Sequence, residues 1–533
     1  MLALMVCCLN VTIGQTTFPL IQNENGGRTQ SSAADRAKKL EKAREIYDRM
    51  VAARGDSRYP KPILTLEPTE QNGAIMYYNV PEIMLEEKAY DICASFGADT
   101  DVALAAMLGH ELTHYYEKHG WRRGFVEDYK DLKIKMKLDS LQEKVGNETQ
   151  ADYIGGFLAY TAGYGIFDKG PVLIDAIYDN YHLKDSLMPN YPRKEDRKEL
   201  SRRTAKRIKA LIDVFEMANM LAIVGLYPEA RQYYHYVLKE YQSREIYNNI
   251  GVLTIMEAMG YFKEGEFIYQ LPLELDLESS VSERLGTAEL ELRKKLLEEA
   301  LRNFDAAISL DPDYAPAYLN KACAYALLGD VPRAQFYAEI EAIQCATKNN
   351  RPETASDAKV LLGILAAIKG DKGGAQKILE AEAANKNPLA ETNLKILLGT
   401  TITTDPKPEK DETIDGIDLD NYKDEPSFAS EIKIAPGLTF FQDLPPGTAS
   451  EIFMTSREGS RPSIFFHITE PNYAGKSGRK ISRGDDRSKL ETEYGRPQKI
   501  IKTPRGAILR YGKVIFIMGA DGKVQRWVNY LKP

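Results

Sequence analysis

Cysteine is scarce in this sequence: 533 residues hold five, and two of these, Cys7 and Cys8, sit side by side near the start. The others, Cys93, Cys323 and Cys345, are scattered through helical-looking segments, which excludes a disulfide framework or a cysteine metal cluster. A strong excess of one charge is also missing. The net charge of −7 gives no reason to expect nucleic acid or an anionic membrane surface as partner. No apolar run reaches the ~20 residues of a membrane-spanning helix, so any membrane association is expected to be peripheral or through a partner. Tryptophan is nearly absent, two against 31 tyrosines, and tyrosines in helical segments serve first as core and only secondarily as groove lining. At 43% hydrophobic and 28% charged, the chain is an ordinary globular one whose length calls for about three to four domains. Histidine is as rare as cysteine. There are six, and His110, His114 and His119 fall in one short window.

That window is Gly109-His-Glu-Leu-Thr-His114, preceded by the helix-forming, apolar run Asp101-Val-Ala-Leu-Ala-Ala-Met-Leu108. On a helix, His110 and His114 lie one turn apart on one face, so both imidazoles can grip one metal ion. Glu111 then points to the neighbouring edge of the site, where the water to be activated would sit. His-Glu-x-x-His alone also occurs by chance, so a third ligand must decide the matter. Downstream, Asn147-Glu-Thr-Gln-Ala-Asp152 sets Glu148 and Asp152 four apart, again on one helix face. A Glu-x-x-x-Asp pair is ordinarily a solvated face. Beside two helical histidines it supplies a third ligand, Glu148, and a carboxylate, Asp152, to hold a ligand imidazole by its far N–H. Gly155 and Gly156 permit close approach of this helix to the first.

These residues resemble the zinc metallopeptidases that include HtpX, BepA and the CAAX prenyl proteases. The likeness rests on His110-Glu111-Leu-Thr-His114, Glu148-x-x-Ala151-Asp152, Ala162-Gly163-Tyr164, and Pro192 followed by Arg197, and it covers about Ala53 to Lys209. It implies a zincin-like fold of the gluzincin class holding one Zn²⁺ by His110, His114 and Glu148. Glu111 would act as catalytic base, and Asp152 would stand behind the ligands. The family has His-Pro where this chain has Tyr191-Pro192. Tyr191 and Arg197 are therefore candidates for polarising the substrate carbonyl or gating the metal. His119 is read as packing or support for the ligands.

Around this region the chain changes character several times. Met1 to Val11 is apolar but short, and Thr12-Ile-Gly14 offers small residues for signal cleavage after Gly14, although no Lys or Arg precedes Arg28. An exported, periplasmic or cell-envelope protein is the expectation. Ser31 to Ala53 predicts a charged amphipathic helix. Pro62-Ile-Leu-Thr-Leu66 and Ala74-Ile-Met-Tyr-Tyr-Asn79 predict strands, one of which would receive an extended peptide at a sheet edge. From Lys209 onward small residues and glycines recur as Ala218/Gly225/Ala230, Ala322/Gly329/Ala334 and Gly363/Gly370/Ala375. Ala300, Phe304, Ala307 and Pro312 fit the second helix of a tetratricopeptide unit. Gly225, Gly260, Lys295 and Gly329 then fall at turns near the ~34-residue period of that repeat. Its clearest unit is Ala317 to Asp330.

Thr400 to Glu425 is acidic and Pro-containing and reads as a linker, its Asp415, Asp418 and Asp420 solvated rather than calcium-binding. The last stretch predicts strands at Ile432–Ile434, Leu438–Phe441, Ser463–Ile468, Ala507–Tyr511 and Val514–Met518. A further one follows an Asp521-Gly522 turn, and a short helix ends at Gly495. It faintly resembles the small BamE-like fold. His467, inside an apolar strand, reads as structural.

The whole is expected to be α+β and multidomain, mainly α. A candidate signal peptide spans 1–14, the metallopeptidase domain 31–209, and an α-solenoid of tetratricopeptide repeats 210–399. The linker takes 400–425 and a small β-rich domain 426–533. The expected function is zinc-dependent endoproteolysis of a protein or peptide substrate in envelope quality control, with the repeats binding substrate or a protein partner. The alternative is a chaperone-like scaffold that keeps an idle peptidase fold.

Overall fold

The computed structural model describes residues 32–71, 73–77, 81–117, 149–183, 193–263, 265–273, 287–400, 412–424, 426–457, 462–503, 506–519 and 521–532. The candidate signal peptide, His119, Glu148 and Tyr191 lie outside the described residues. The chain divides into two units, Met1–Ile212 and Asp213–Pro533. It is mainly helical, with a helical region and a C-terminal sheet. Among the described residues no helix is long and apolar enough to cross a membrane.

In the first unit, Ser32 starts helix α1 (Ala33–Arg54) by accepting the Asp35 N–H at 3.1 Å, and Gly55 ends it at φ 58°. Three short strands follow: β1 (Ile63–Glu67), β2 (Ala74–Tyr77) and β3 (Glu82–Glu86). The order is β1-β3-β2, with β3 parallel to β1 and antiparallel to β2. Sequence reading misses β3. Glu-Ile-Met-Leu-Glu is five residues long with acidic ends and no alternation, yet it is the central strand. Its terminal Glu86 is fully buried and therefore needs donors. It accepts from Gln71 N (2.6 Å), Gly73 N (3.0 Å), Thr69 Oγ1 (2.9 Å) and Tyr181 Oη (2.9 Å), which fastens the β1–β2 loop and Tyr181 to the sheet. Among the described strands β2 is an edge, and it lies against helix α3 (Thr100–Tyr116).

α2 (Glu87–Ala94) leads to α3, and beyond the undescribed stretch come α4 (149–161), α5 (Gly170–Asn180) and α6 (Lys194–Ile223). Ion pairs tie these helices together, with Lys42 of α1 on Asp101 of α3 (2.8 Å) and Lys198 of α6 on Asp175 of α5 (2.9 Å). At the lower end, the buried Arg54 of α1 meets Glu117 just past α3 at 2.7 Å.

The second unit takes the end of α6 from Asp213 and continues with α7 (Tyr227–Leu238), α8 (Arg244–Met259), α9 (Thr287–Leu310) and α10 (Ala315–Leu327). α11 (Val331–Phe336) continues through a π-turn at Tyr337–Ala342 into α12 (Ile343–Lys348), and α13 (Pro352–Ile368), α14 (Lys372–Ala384) and α15 (Pro388–Leu397) complete the series. The periodic small residues sit where helices touch: Ala218, Ala230, Ala322, Ala334 and Ala375 are fully buried. A Cβ on Gly363 would lie 3.0 Å from Leu379. Gly225, Gly329 and Gly370 turn the chain at φ 85°, 76° and 86°. Two expected turns differ. Gly260 has φ −60° and caps α8 in the right-handed region, and Lys295 lies inside the 24-residue α9. Thr287 to Leu310 is one uninterrupted helix because nothing between them breaks it; lysine is a good helix former, and the period alone cannot make it a turn.

The C-terminal strands form one sheet, β4 (Ser430–Ala435), β5 (Leu438–Asp443), β6 (Ser450–Arg457), β7 (Ile464–Thr469), β11 (Val524–Leu531), β10 (Val514–Gly519), β9 (Gly506–Tyr511) and β8 (Lys499–Thr503) in spatial order, all antiparallel. β6 and β8 are absent from the sequence reading. Part of the expected linker also belongs here: Ile414 is fully buried in the core with Trp527, and Leu419 packs with Ile452, Met454 and Phe465. Residues 412–424 are therefore part of this domain, while 401–411 lie outside the described residues. Nor does the sheet stand apart from the helices. Tyr233 of α7 donates to Thr455 Oγ1 at 2.7 Å, and the buried Lys499 ammonium of β8 donates to the Ala222 carbonyl at 2.8 Å and to Tyr227 Oη at 3.2 Å.

Candidate metal centre

Helix α3 forms because its sequence from Val102 to Leu108 is built of strong helix formers, and it buries Ala103, Leu104, Ala105, Leu108 and Leu112 completely. That burial fixes its rotation. With those side chains turned inward, Val102, Ala106, His110 and His114, spaced four apart, share another face. His110 and Glu111 are 5% and 2% exposed, and Thr113 sits between the ligand candidates with Oγ1 bonded back to the Gly109 carbonyl at 2.8 Å.

The two imidazoles converge. His110 Nε2 and His114 Nε2 lie 3.0 Å apart, with the rings edge to face at 77°. His110 Nδ1, on the far side of its ring, meets Asp152 Oδ1 at 2.7 Å. A carboxylate at that nitrogen favours the tautomer with the proton on Nδ1 and leaves the Nε2 lone pair directed toward His114.

Asp152 reaches His110 because α4 lies almost backbone to backbone on α3. A Cβ on Gly155 would fall 2.5 Å from Gly109 C and 2.6 Å from His110 N, and one on Gly109 would fall 2.6 Å from Gly155 O. Only glycine on both helices permits this approach. Gly155 is singled out by the sequence; its counterpart Gly109, next to His110, is not, since nothing local marks it. Gly156 faces the Ile208 side chain of α6, so the second glycine of the pair serves a different contact. α4 ends at Gly163, φ 97°, where the Gly163 and Tyr164 N–H groups return to Tyr160 O and Ala159 O at 3.0 Å each.

His110, Glu111, Asp152 and Arg197 line one cleft, of ≈ 970 Å³ with its open mouth included, together with Ala74 of β2. Arg197 comes from the first turn of α6. The structure thus brings together His110, Glu111, His114, Asp152 and Arg197. Sequence reading does not find the apolar wall of this cleft, Phe167, Leu173, Ile174 and Ile177. The signal available was the glycine pair Gly163 and Gly165 just before them, both of which adopt positive φ.

Two zinc-bound nitrogens in a tetrahedral site, each ~2.0–2.1 Å from the metal, stand ~3.3 Å apart. The 3.0 Å separation of the two Nε2 atoms fits that donor geometry with a small spread of the rings. Among the described residues no group of three or more His, Cys, Asp or Glu is assembled to hold a metal, Glu148 being outside them.

Compared with curated proteins, the chain has no match. Residues 303–336, from α9 through α11, match the tetratricopeptide repeat family, a repeat that suggests protein–protein interaction; the His110 region lies outside the match.

Proposed function

We propose that the first unit is a zinc-dependent metalloendopeptidase of zincin-like fold. The observation that carries this reading is the convergence of His110 and His114 Nε2 at 3.0 Å, with Asp152 behind His110 at 2.7 Å and His110 lining the cleft. His110 and His114 would hold the metal, with Glu148 as third ligand. Bound zinc would supply Lewis acidity, polarising a carbonyl and bringing a water's pKa down to ~7. Glu111, in the cleft beside His110, takes the proton of the attacking water and delivers it to the leaving amine. Asp152 holds the His110 ring in the tautomer that offers Nε2. Arg197 lines the same cleft, where it would steady the substrate carbonyl; Tyr191 is the other candidate for that task. The β2 edge, beside the cleft through Ala74, supports extended binding of a polypeptide by strand addition.

The tetratricopeptide repeats would recruit substrate or partner, and the apolar start of the chain supports an envelope location. Replacing Glu111 by Gln is expected to preserve stoichiometric zinc, measured by elemental analysis, and to abolish cleavage of an unfolded protein substrate. Cleavage that survives in E111Q refutes the assignment.

A second reading is favoured by the repeat match itself: an interaction scaffold whose peptidase fold is idle. It predicts purified protein with no stoichiometric zinc and undiminished partner binding after His110→Ala.

A further inference from the structure

We propose that residues 266–273 are a built-in occupant of a peptide site on the helical repeats, which a polypeptide of the same pattern must displace. The proposal deepens the reading that the repeats recruit a protein partner, and rests on it. The segment Glu266-Phe-Ile-Tyr-Gln-Leu-Pro-Leu273 lies between α8 and α9 and forms neither helix nor strand. Its side chains nevertheless alternate. Phe267 and Tyr269 are half-buried, Ile268 between them is 53% exposed, and Leu271 and Leu273 are buried. That is the period of an extended chain laid along a surface, with every second residue turned toward it.

The surface is far away in sequence. Phe267 and Tyr269 pack against a cluster built by Val360 and Ile364 of α13, Leu379 of α14 and Ala390 of α15. Asn393 follows Ala390 by three residues and so shares its face of α15. This side chain is fully buried and needs partners, and it finds both on one distant residue. Its Oδ1 accepts the Gln270 N–H at 2.8 Å, and its Nδ2 donates to the Gln270 carbonyl at 2.8 Å. An amide that grips both backbone groups of one residue reads an extended main chain, whatever side chain that residue carries. At the start of the segment, Arg293 of α9 meets Glu266 at 2.6 Å, its guanidinium lying 4.1 Å from the centre of the Phe262 ring.

A charge at its start, aromatic rings at alternate positions and a main-chain clamp thus hold the segment. None of these contacts requires that it be joined to α8 and α9. A separate chain with an acidic residue followed by aromatics at the next and third-next positions would make all of them. The partner is therefore an extended polypeptide of the pattern acidic–aromatic–x–aromatic. A basic residue in the first place would face Arg293 and be rejected. Attachment gives the chain's own segment an effective concentration on the order of mM, so it outcompetes a free partner of equal intrinsic affinity. Freeing the site should tighten partner binding ~10–100-fold.

The test uses the full chain in the E111Q background, so that no peptide is cut, and a fluorescent peptide copying residues 265–273, followed by polarisation. The parent should bind it weakly, and Phe267→Ser combined with Tyr269→Ser should bind it ~10–100-fold more tightly. Adding Asn393→Ala should remove most of that gain. Arg293→Glu, a milder change, should prefer a peptide with lysine in place of its glutamate. Thermal unfolding checks each fold. A Phe267/Tyr269 variant that unfolds, with peptide choice unchanged in Arg293→Glu, shows the segment to be core and overturns the proposal. Equal binding by the parent and the released variant also overturns it, and leaves the repeats as a recruiting surface elsewhere. If no folded variant binds the peptide, a labelled unfolded protein is titrated instead. Its binding overturns the built-in occupant alone; its failure to bind overturns the recruiting role as well.

Discussion

Gly155→Ala tests how closely the proposed metal centre depends on the contact of α3 with α4. The new Cβ would fall 2.5 Å from Gly109 C, 2.6 Å from His110 N and 2.7 Å from Gly109 O. These are backbone atoms, which cannot rotate away, and the separation is ~1 Å short of ordinary carbon contact. α4 must therefore back off by about that much. The same helix carries Asp152 three residues earlier, so its 2.7 Å contact with His110 Nδ1 stretches to about 3.7 Å, beyond hydrogen-bond range. Alanine gains ~1 kcal/mol of helix propensity over glycine, against an overpacking cost of ~1–3 kcal/mol or more. With two rigid backbones in contact the upper end applies, and the net loss is ~1–2 kcal/mol. For a unit of this size that lowers Tm by ~2–4 °C per kcal/mol. Metal affinity should fall ~10–100-fold, the usual consequence of losing a ligand's outer partner. Thermal unfolding of metal-free protein reads the first effect, and zinc competition with a chelating dye reads the second. Asp152→Asn should reproduce the affinity loss with little change in Tm. Gly156→Ala meets only the movable Ile208 side chain and should cost less. A Gly155→Ala protein with unchanged Tm and zinc affinity would refute the reasoning.

Two further outcomes concern the second unit. Burial pushes the His467 imidazole down from 6.5 to about 4, its Nε2 lying 2.9 Å from Ser450 Oγ. Between those values the unfolded chain binds the proton that the folded chain refuses. Stability attributable to His467 is thus present above pH 6.5 and lost as pH falls toward 4, at up to ~1.4 kcal/mol per pH unit. Urea midpoints at pH 7 and pH 5 should differ less in His467→Gln than in the parent, and equal differences would sink the idea. Lys499→Met removes two hydrogen bonds of a buried ammonium, to Ala222 O and Tyr227 Oη, and should destabilise the unit by ~1.5–3 kcal/mol. Denaturation followed by fluorescence of the buried Trp527 measures it, and a loss under 0.5 kcal/mol would contradict the packing of β8 on the helices.

What could be read from the chain was local. His110 and His114 share a helix face because 3.6 residues make a turn, whatever else the protein does. The same rule sets Asp152 one turn on from Glu148 in the sequence, and of the two the structure describes Asp152. Small residues at repeat spacing marked helix contacts, since a short period of buried Ala and Gly has few other uses. Strands β3 and β6 escaped because neither alternates. Both are buried along almost their whole length, and burial on both faces erases the period-2 signal. Lys295 was misread as a turn because a period says where a break could fall, while the residues there say whether it does.

By itself, then, the sequence determined the spacing of His110 and His114 on α3, the helix formers that carry them, and the repeat composition of the helices after Lys209. Only the tertiary structure decided that Gly109 meets Gly155, that Asp152 thereby reaches His110, that Phe167 and Ile174 wall the same cleft, and that Ile414 and Lys499 bind the C-terminal sheet into its unit. The physical reason is range. A helix face depends on neighbours three and four residues away, whereas a glycine contact or a cleft wall depends on which distant segment arrives there.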